Sequence, residues 1–309
     1  DVAANTSSGP VLLLTAADGP WAWSEVHYEL LDGALDEHST TYSQASIRRH
    51  RQVGSAIRER QESAVNFVFA GDDRVPLQLG TPTFEQAGVG HQVWDAAIVM
   101  ALYLRSDLAP PLPPGPRVLE LGAGIGLPGI DLAWRLGGAS PAAAVTLTDA
   151  HPMLLNTLRQ NVLAANQSAI TSGGLARVIV DRLRWANSPN SNDDGSGSDA
   201  DIMSEHHDLV MGSDICYEET SVPALTALLR ALRAPVSILV GPVQRPSLRL
   251  LAEALVSQEG VTVEERRVTL LCSDAAKRMK VEEAEDASAA HARVRSGGVH
   301  RVLIVRQHD

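Results

Sequence analysis

The chain has 309 residues, 44% of them apolar, enough for one large core or two small ones. A formal net charge of −11 speaks against nucleic acid as a partner and favours solubility, and no apolar run approaches the ~20 residues that cross a bilayer. Cys216 and Cys272 have no paired spacing, so neither a metal site nor a disulfide framework is expected; free thiols point to a reducing compartment, the cytoplasm, with the nucleus also open to the protein.

Residues 1–60 read as a partly flexible N-terminal arm. An apolar patch, VLLLTAADGPWAW, is followed by a polar stretch from Asp36 to Arg60 that suits an exposed helix or a partly disordered segment. A single domain is expected over 61–309. It opens, within 61–115, with a hairpin and a helix. VNFVFAG and RVPLQLG flank the turn pair Asp72-Asp73. HQVWDAAIVMALYLRSDL then carries apolar residues at helical spacing until the proline cluster APPLPPGP stops it.

From Pro116 the chain alternates. Strands are predicted at 116–121, 144–148, 176–183, 208–211, 235–240, 261–271 and 300–306. Helices are predicted from Leu127, from Pro152, over 221–232 and over 247–257. This pattern predicts an α/β, Rossmann-like, doubly wound sheet of seven strands, mostly parallel, with an antiparallel final strand. Two Gly-, Ser- and acid-rich insertions, 187–205 and 273–298, read as mobile loops.

The first of those strands ends in VLELGAGIGLPG. A dinucleotide fingerprint would need a third glycine where Leu127 stands, and there is no phosphate-gripping G-x-x-x-x-G-K-[ST]. Glu120, two residues before Gly122, does little for a phosphate and much for a cation. S-adenosyl-L-methionine has a sulfonium charge, an amino-acid tail and no phosphate. Gly122, Ala123 and Gly124 would admit the tail. Asp149, closing the next strand in VTLTDAHP, would accept from the ribose hydroxyls.

ELGAGIGLPG, preceded by VWDAAIVMALYL, resembles the class I, seven-β-strand methyltransferases, and more narrowly the methyltransferase-like family 16 protein-lysine methyltransferases. Trp94-Asp95, Glu120 to Gly129, Thr148-Asp149, Trp185 and the D-x-x-Y of Asp214 to Tyr217 occur in the family's order, over about residues 90 to 260. The resemblance implies that Trp94 and Trp185 lie at the cofactor, the second against adenine, with Ser213 completing the cofactor set. Where the family has an acid before that Trp, this chain has Arg184, which leaves Asp181 as the alternative partner for the adenine amine.

Asp214 and Tyr217 follow a buried strand at the carboxyl end of the sheet, where open α/β folds place ligands. Asp214 would accept from a substrate amine and Tyr217 would wall the channel and favour an ammonium; a helix N-cap is the alternative reading of Asp214. Arg245 fits a basic position at the substrate mouth or a solvated loop. Cys216 reads as a buried thiol, and His206 and His207 as solvated imidazoles leading into a strand. A lysine-bearing protein is the expected substrate and a monomer the expected state. A small-molecule amine, or a silent binding module with the same fold, stand as alternatives.

Overall fold

The computed structural model describes residues 21–32, 42–54, 63–69, 77–140, 142–170, 173–185, 198–274 and 295–308. In chain order the strands are β1 (Trp21–Asp32), β2 (Tyr42–Gly54), β3 (Ser63–Phe69), β4 (Leu77–Thr81), β5 (Arg117–Leu121), β6 (Ala144–Asp149), β7 (Arg177–Arg182), β8 (Leu209–Ser213), β9 (Val236–Pro242), β10 (Val261–Asp274) and β11 (Arg295–Gln307). The helices are α1 (Phe84–Ala87), α2 (Asp95–Arg105), α3 (Leu127–Ala139), α4 (Pro152–Ala169), α5 (Ser198–Ser204), α6 (Val222–Leu232) and α7 (Pro246–Val256).

Seven strands form the predicted unit, in the order β7-β6-β5-β8-β9-β11-β10. Five run parallel, and β11 enters antiparallel between β9 and β10. β5, β8 and β9 are covered on both faces, so their sequences are nearly continuous apolar runs instead of alternating ones. One apolar core lies under α2, α3 and α4, the other under α6 and α7. Four of the helices carry proline in the first turn, where its missing N–H has no intrahelical partner to lose.

β3 and β4 form the expected antiparallel pair; the turn at Asp72-Asp73 lies outside the described residues. The helix considered for 36–60 is instead a strand over Tyr42–Gly54, paired on both sides, with β1 and β3. β1 in turn pairs with β10, so the extension continues the sheet as β10-β1-β2-β3-β4. Within the first insertion, 198–204 is a short helix. Asp199 and Asp201 lie in its first turn, favourable to the helix dipole, and Ile202 is buried. Residues 186–197 and 275–294 lie outside the described residues.

α2 is apolar on every side, with all six residues from Ile98 to Tyr103 completely buried. Such a helix needs cover all round. It touches β8, β9 and β11 of the main sheet, β1 and β2 of the extension, and α3. Its last turn is tied to α3 by a paired ion contact: Arg105 Nε donates to Asp131 Oδ2 at 2.9 Å and Nη2 to Oδ1.

Candidate active site

The carboxyl ends of β6, β5 and β8 deliver three acids into one region. Glu120, on β5, is 1% exposed and lies against the first turn of α3; a Cβ at Gly129 would collide with its Oε2 and with Leu147, so glycine lets the helix approach. Burial pushes the Glu120 carboxyl up to about 8, against the lowering effect of the Gly129 amide. Its Oε2 has no hydrogen-bond partner.

Asp149 closes β6. Its Oδ2 accepts from the Gly124 amide at 3.1 Å and its Oδ1 from the His151 amide at 2.9 Å. The acid therefore holds the glycine loop and keeps lone pairs for further donors. Burial raises its pKa, and these amides pull it back. Ala123, buried in the loop, donates to the Thr148 carbonyl at 2.8 Å.

Gly122 adopts φ 59°, and a Cβ there would stand 2.7 Å from Ile215 Cγ2 and 3.3 Å from Trp185 Cη2. The half-buried Trp185 ring thus lies beside the loop. Asp181 Oδ1 accepts from the Arg182 amide at 2.7 Å. Trp94 is exposed. Its indole donates to the Val89 carbonyl at 2.8 Å, fixing a short turn whose Gly90 carbonyl approaches Gly124.

Ser213 ends β8 half-buried, and Asp214 follows at φ 52°. A non-glycine residue in the left-handed region is uncommon and concentrates where geometry serves function. Asp214 caps no helix: the next turn begins at Glu219 and α6 follows Ser221. Its Oδ2 instead accepts from Arg245 Nη2 at 3.2 Å, which brings together two residues that the sequence singled out separately. Burial raises the Asp214 carboxyl, while Arg245 and then His300 pull it down. Tyr217, three residues on, is half exposed. Cys216 is a buried thiol, its Sγ accepting from Ser221 and its carbonyl from Ser247.

His207 corrects the expectation of solvated imidazoles. It is 1% exposed, with Nε2 3.0 Å from the Ile202 carbonyl, whereas His206 stays exposed beside Asp208. The other oxygen of Asp208 accepts from the Arg117 amide, tying the starts of β5 and β8.

Two residues of the region have no motif. Asn161, a buried amide on α4, accepts from the Gly80 amide at 2.8 Å and donates to the carbonyls of Gly80 and Ile125, so β4 and the glycine loop share one clasp. A lone polar residue on the inner face of α4 was its only signal. His300, buried at the carboxyl end of the sheet, was signalled only by its place opening the last strand.

These groups suit S-adenosyl-L-methionine. A buried carboxyl oxygen without a partner and a second strand-end acid with lone pairs to spare match a ligand with hydroxyl and amine donors, and the loop offers no lysine or arginine for a phosphate.

A family model described as lysine methyltransferase matches residues 73–247. The protein N-lysine methyltransferase METTL21A of Danio rerio is 33% identical over 193 residues, covering 61% of this chain and 74% of that one. The EEF1A lysine methyltransferase 3 of Mus musculus is 37% identical over 169 residues, covering 55% of this chain and 60% of that one. The histone-arginine methyltransferase METTL23 of Mus musculus is 32% identical over 163 residues, covering 51% and 53%. With the glycine loop, both strand-end acids and the D-x-x-Y inside the matched segment, the chain belongs to the lysine methyltransferase family.

Proposed function

We propose that the protein transfers a methyl group from S-adenosyl-L-methionine to the side-chain amine of a lysine in a protein substrate. When bound, that cofactor supplies a methyl group already activated on a sulfonium, which leaves position and desolvation to the protein. In this reading Glu120, Gly122, Ala123, Gly124 and Asp149 hold the amino-acid tail and ribose, and Trp94, Trp185 and Ser213 complete the cofactor side.

The observation that carries the substrate side is Asp214. Its left-handed backbone, its release from any capping duty and its pairing with Arg245 set a carboxylate at the strand end, three residues before the half-exposed Tyr217. A carboxylate there favours an ammonium over a neutral nucleophile. We also place the protein in the cytoplasm as a monomer, in keeping with its acidic charge and the free, buried thiol of Cys216.

The test is incubation with tritium-labelled S-adenosyl-L-methionine and a cell extract, followed by mass spectrometry of the labelled protein. Methyl on a lysine amine supports the reading. Label confined to arginine, as the name of one relative would suggest, or to small molecules, overturns it.

A further inference from the structure

A lysine side chain arrives as an ammonium near neutral pH, since its pKa in water is about 10.4. At Asp214 a cation is already in place. Arg245 Nη2 donates to Asp214 Oδ2 at 3.2 Å, a single contact and not a two-pronged fork. The other oxygen, Oδ1, lies against β9: a Cβ added at Gly241 would stand 4.0 Å from it. The exposures differ along the pair, 38% for the Arg245 side chain and 11% for that of Asp214. The guanidinium therefore sits on the solvent side of the carboxylate.

The cleft on which this pair opens is lined by Ile215, Leu239, Gly241 and Leu248 as well, and it is too narrow for a water molecule. Of the described residues that line it, all but Asp214 and Arg245 are buried. An amine entering here must take the place of something, and Arg245 is the side chain with somewhere to go. Its backbone is fixed independently. The Arg245 amide donates to the Pro242 carbonyl at 3.0 Å, and the residue stands at the N-cap of α7, ahead of Pro246. The guanidinium can thus leave the carboxylate for water while the turn keeps its shape.

A carboxylate this deeply set is costly to leave unpaired. Burial pushes the Asp214 carboxyl up and Arg245 pulls it back, so before a substrate binds some cation has to hold it. An arginine keeps its charge at any working pH and fills that place reliably. We propose that Arg245 is a stand-in for the substrate ammonium, holding Asp214 in the free protein and giving way when the target amine enters. No covalent bond changes in the exchange: one N–H···O contact replaces another, and the charge at Asp214 stays balanced. The exchange also selects. A hydroxyl or thiol cannot neutralise Asp214 and leaves Arg245 where it is, whereas an ammonium can displace it. Arg245 acts through Asp214 and is in this sense a positioning residue that sets specificity.

This inference rests on the lysine reading above, and its tests use the full chain saturated with S-adenosylhomocysteine. The probe is n-butylamine, a lysine side-chain mimic, at about pH 8.5, where the amine is still protonated and the carboxylate ionised. In the first test, calorimetry compares the wild type with Arg245→Gln, which keeps a polar side chain without the charge. The variant should bind n-butylammonium roughly tenfold more tightly, because a half-exposed ion pair no longer has to open. n-Butanol, of the same shape but uncharged, should gain nothing. Equal or weaker binding of the amine, or an equal gain for the alcohol, overturns the proposal. The second test needs no variant to fold: NMR follows the Arg245 guanidinium nitrogens of the wild type as n-butylamine is added. A saturable shift toward the resonance of a water-exposed arginine is expected, and an unmoved guanidinium overturns the proposal. Should extract protein carry no methyl-lysine while n-butylamine still displaces Arg245, the protein-lysine reading fails and Arg245 selects another amine. Should lysine be methylated while Arg245 stays paired throughout, that reading stands and this proposal falls.

Discussion

Three carboxylates close three adjacent strands, and each has a different environment. Asp149 accepts two backbone amides and keeps lone pairs spare, so Asp149→Ala should weaken S-adenosylhomocysteine binding by about 1.5–3 kcal/mol, measured by calorimetry. On the proposed function Asp214 serves the substrate side. Asn tolerates its left-handed backbone, so Asp214→Asn tests the charge without adding strain: kcat should fall by about 100-fold with cofactor affinity nearly unchanged. Glu120 makes stability depend on pH. Its native pKa, about 8, lies above the ordinary 4.5, so the folded protein binds the proton more tightly than the unfolded chain. Stability should therefore be highest below about 4.5 on this account, fall as pH rises toward about 8, and level off beyond. Thermal melts of Glu120→Gln should lose that slope; a variant with the wild-type slope would assign it to another group. All three acids were legible because a polar residue ending an apolar strand stands out. His300 was not, because nothing in a lone histidine tells that pairing with β9 and β10 will bury it at the carboxyl end of the sheet.

At the scale of elements, local pattern was enough wherever a segment's partners follow it closely in sequence. Strand, glycine turn, helix and next strand were each readable from Arg117 to Val256, α5 apart, since a parallel unit writes its own apolar runs and caps. β2 was not readable. Its Arg-rich stretch has the composition of a solvated segment, and what makes it a strand is hydrogen bonding to β1 and β3 on either side. α5 was hidden in the same way, a short helix anchored by Ile202 inside an acid- and glycine-rich insertion. The glycine loop itself depends on α4. Asn161→Ala removes one acceptor and two donors from buried backbone groups. It should lower unfolding free energy by about 1–3 kcal/mol, read by denaturant melts, and weaken S-adenosylhomocysteine binding as well. Destabilisation without any change in affinity would make the amide a strut for β4 alone.

Across the whole molecule, the sheet does not end where the methyltransferase unit ends. Its two extremes are β4 and β7, yet β4 packs on α4, which flanks β6 and β7. The extension therefore turns back over the face that holds α2 and encloses that helix. The clasp at Asn161 completes this ring: the amide of Gly80, far from the reacting centre along the sheet, hangs from the same side chain that holds the carbonyl of Ile125. Opening either end loosens the other. A ligand that steadies the loop must then deepen the free-energy well in which Gly80 sits, by mass action alone and without touching it. Amide hydrogen exchange at Gly80 should accordingly slow when S-adenosylhomocysteine is added, and lose that response in Asn161→Ala. A remote strand would in that way keep a record of whether the pocket is filled.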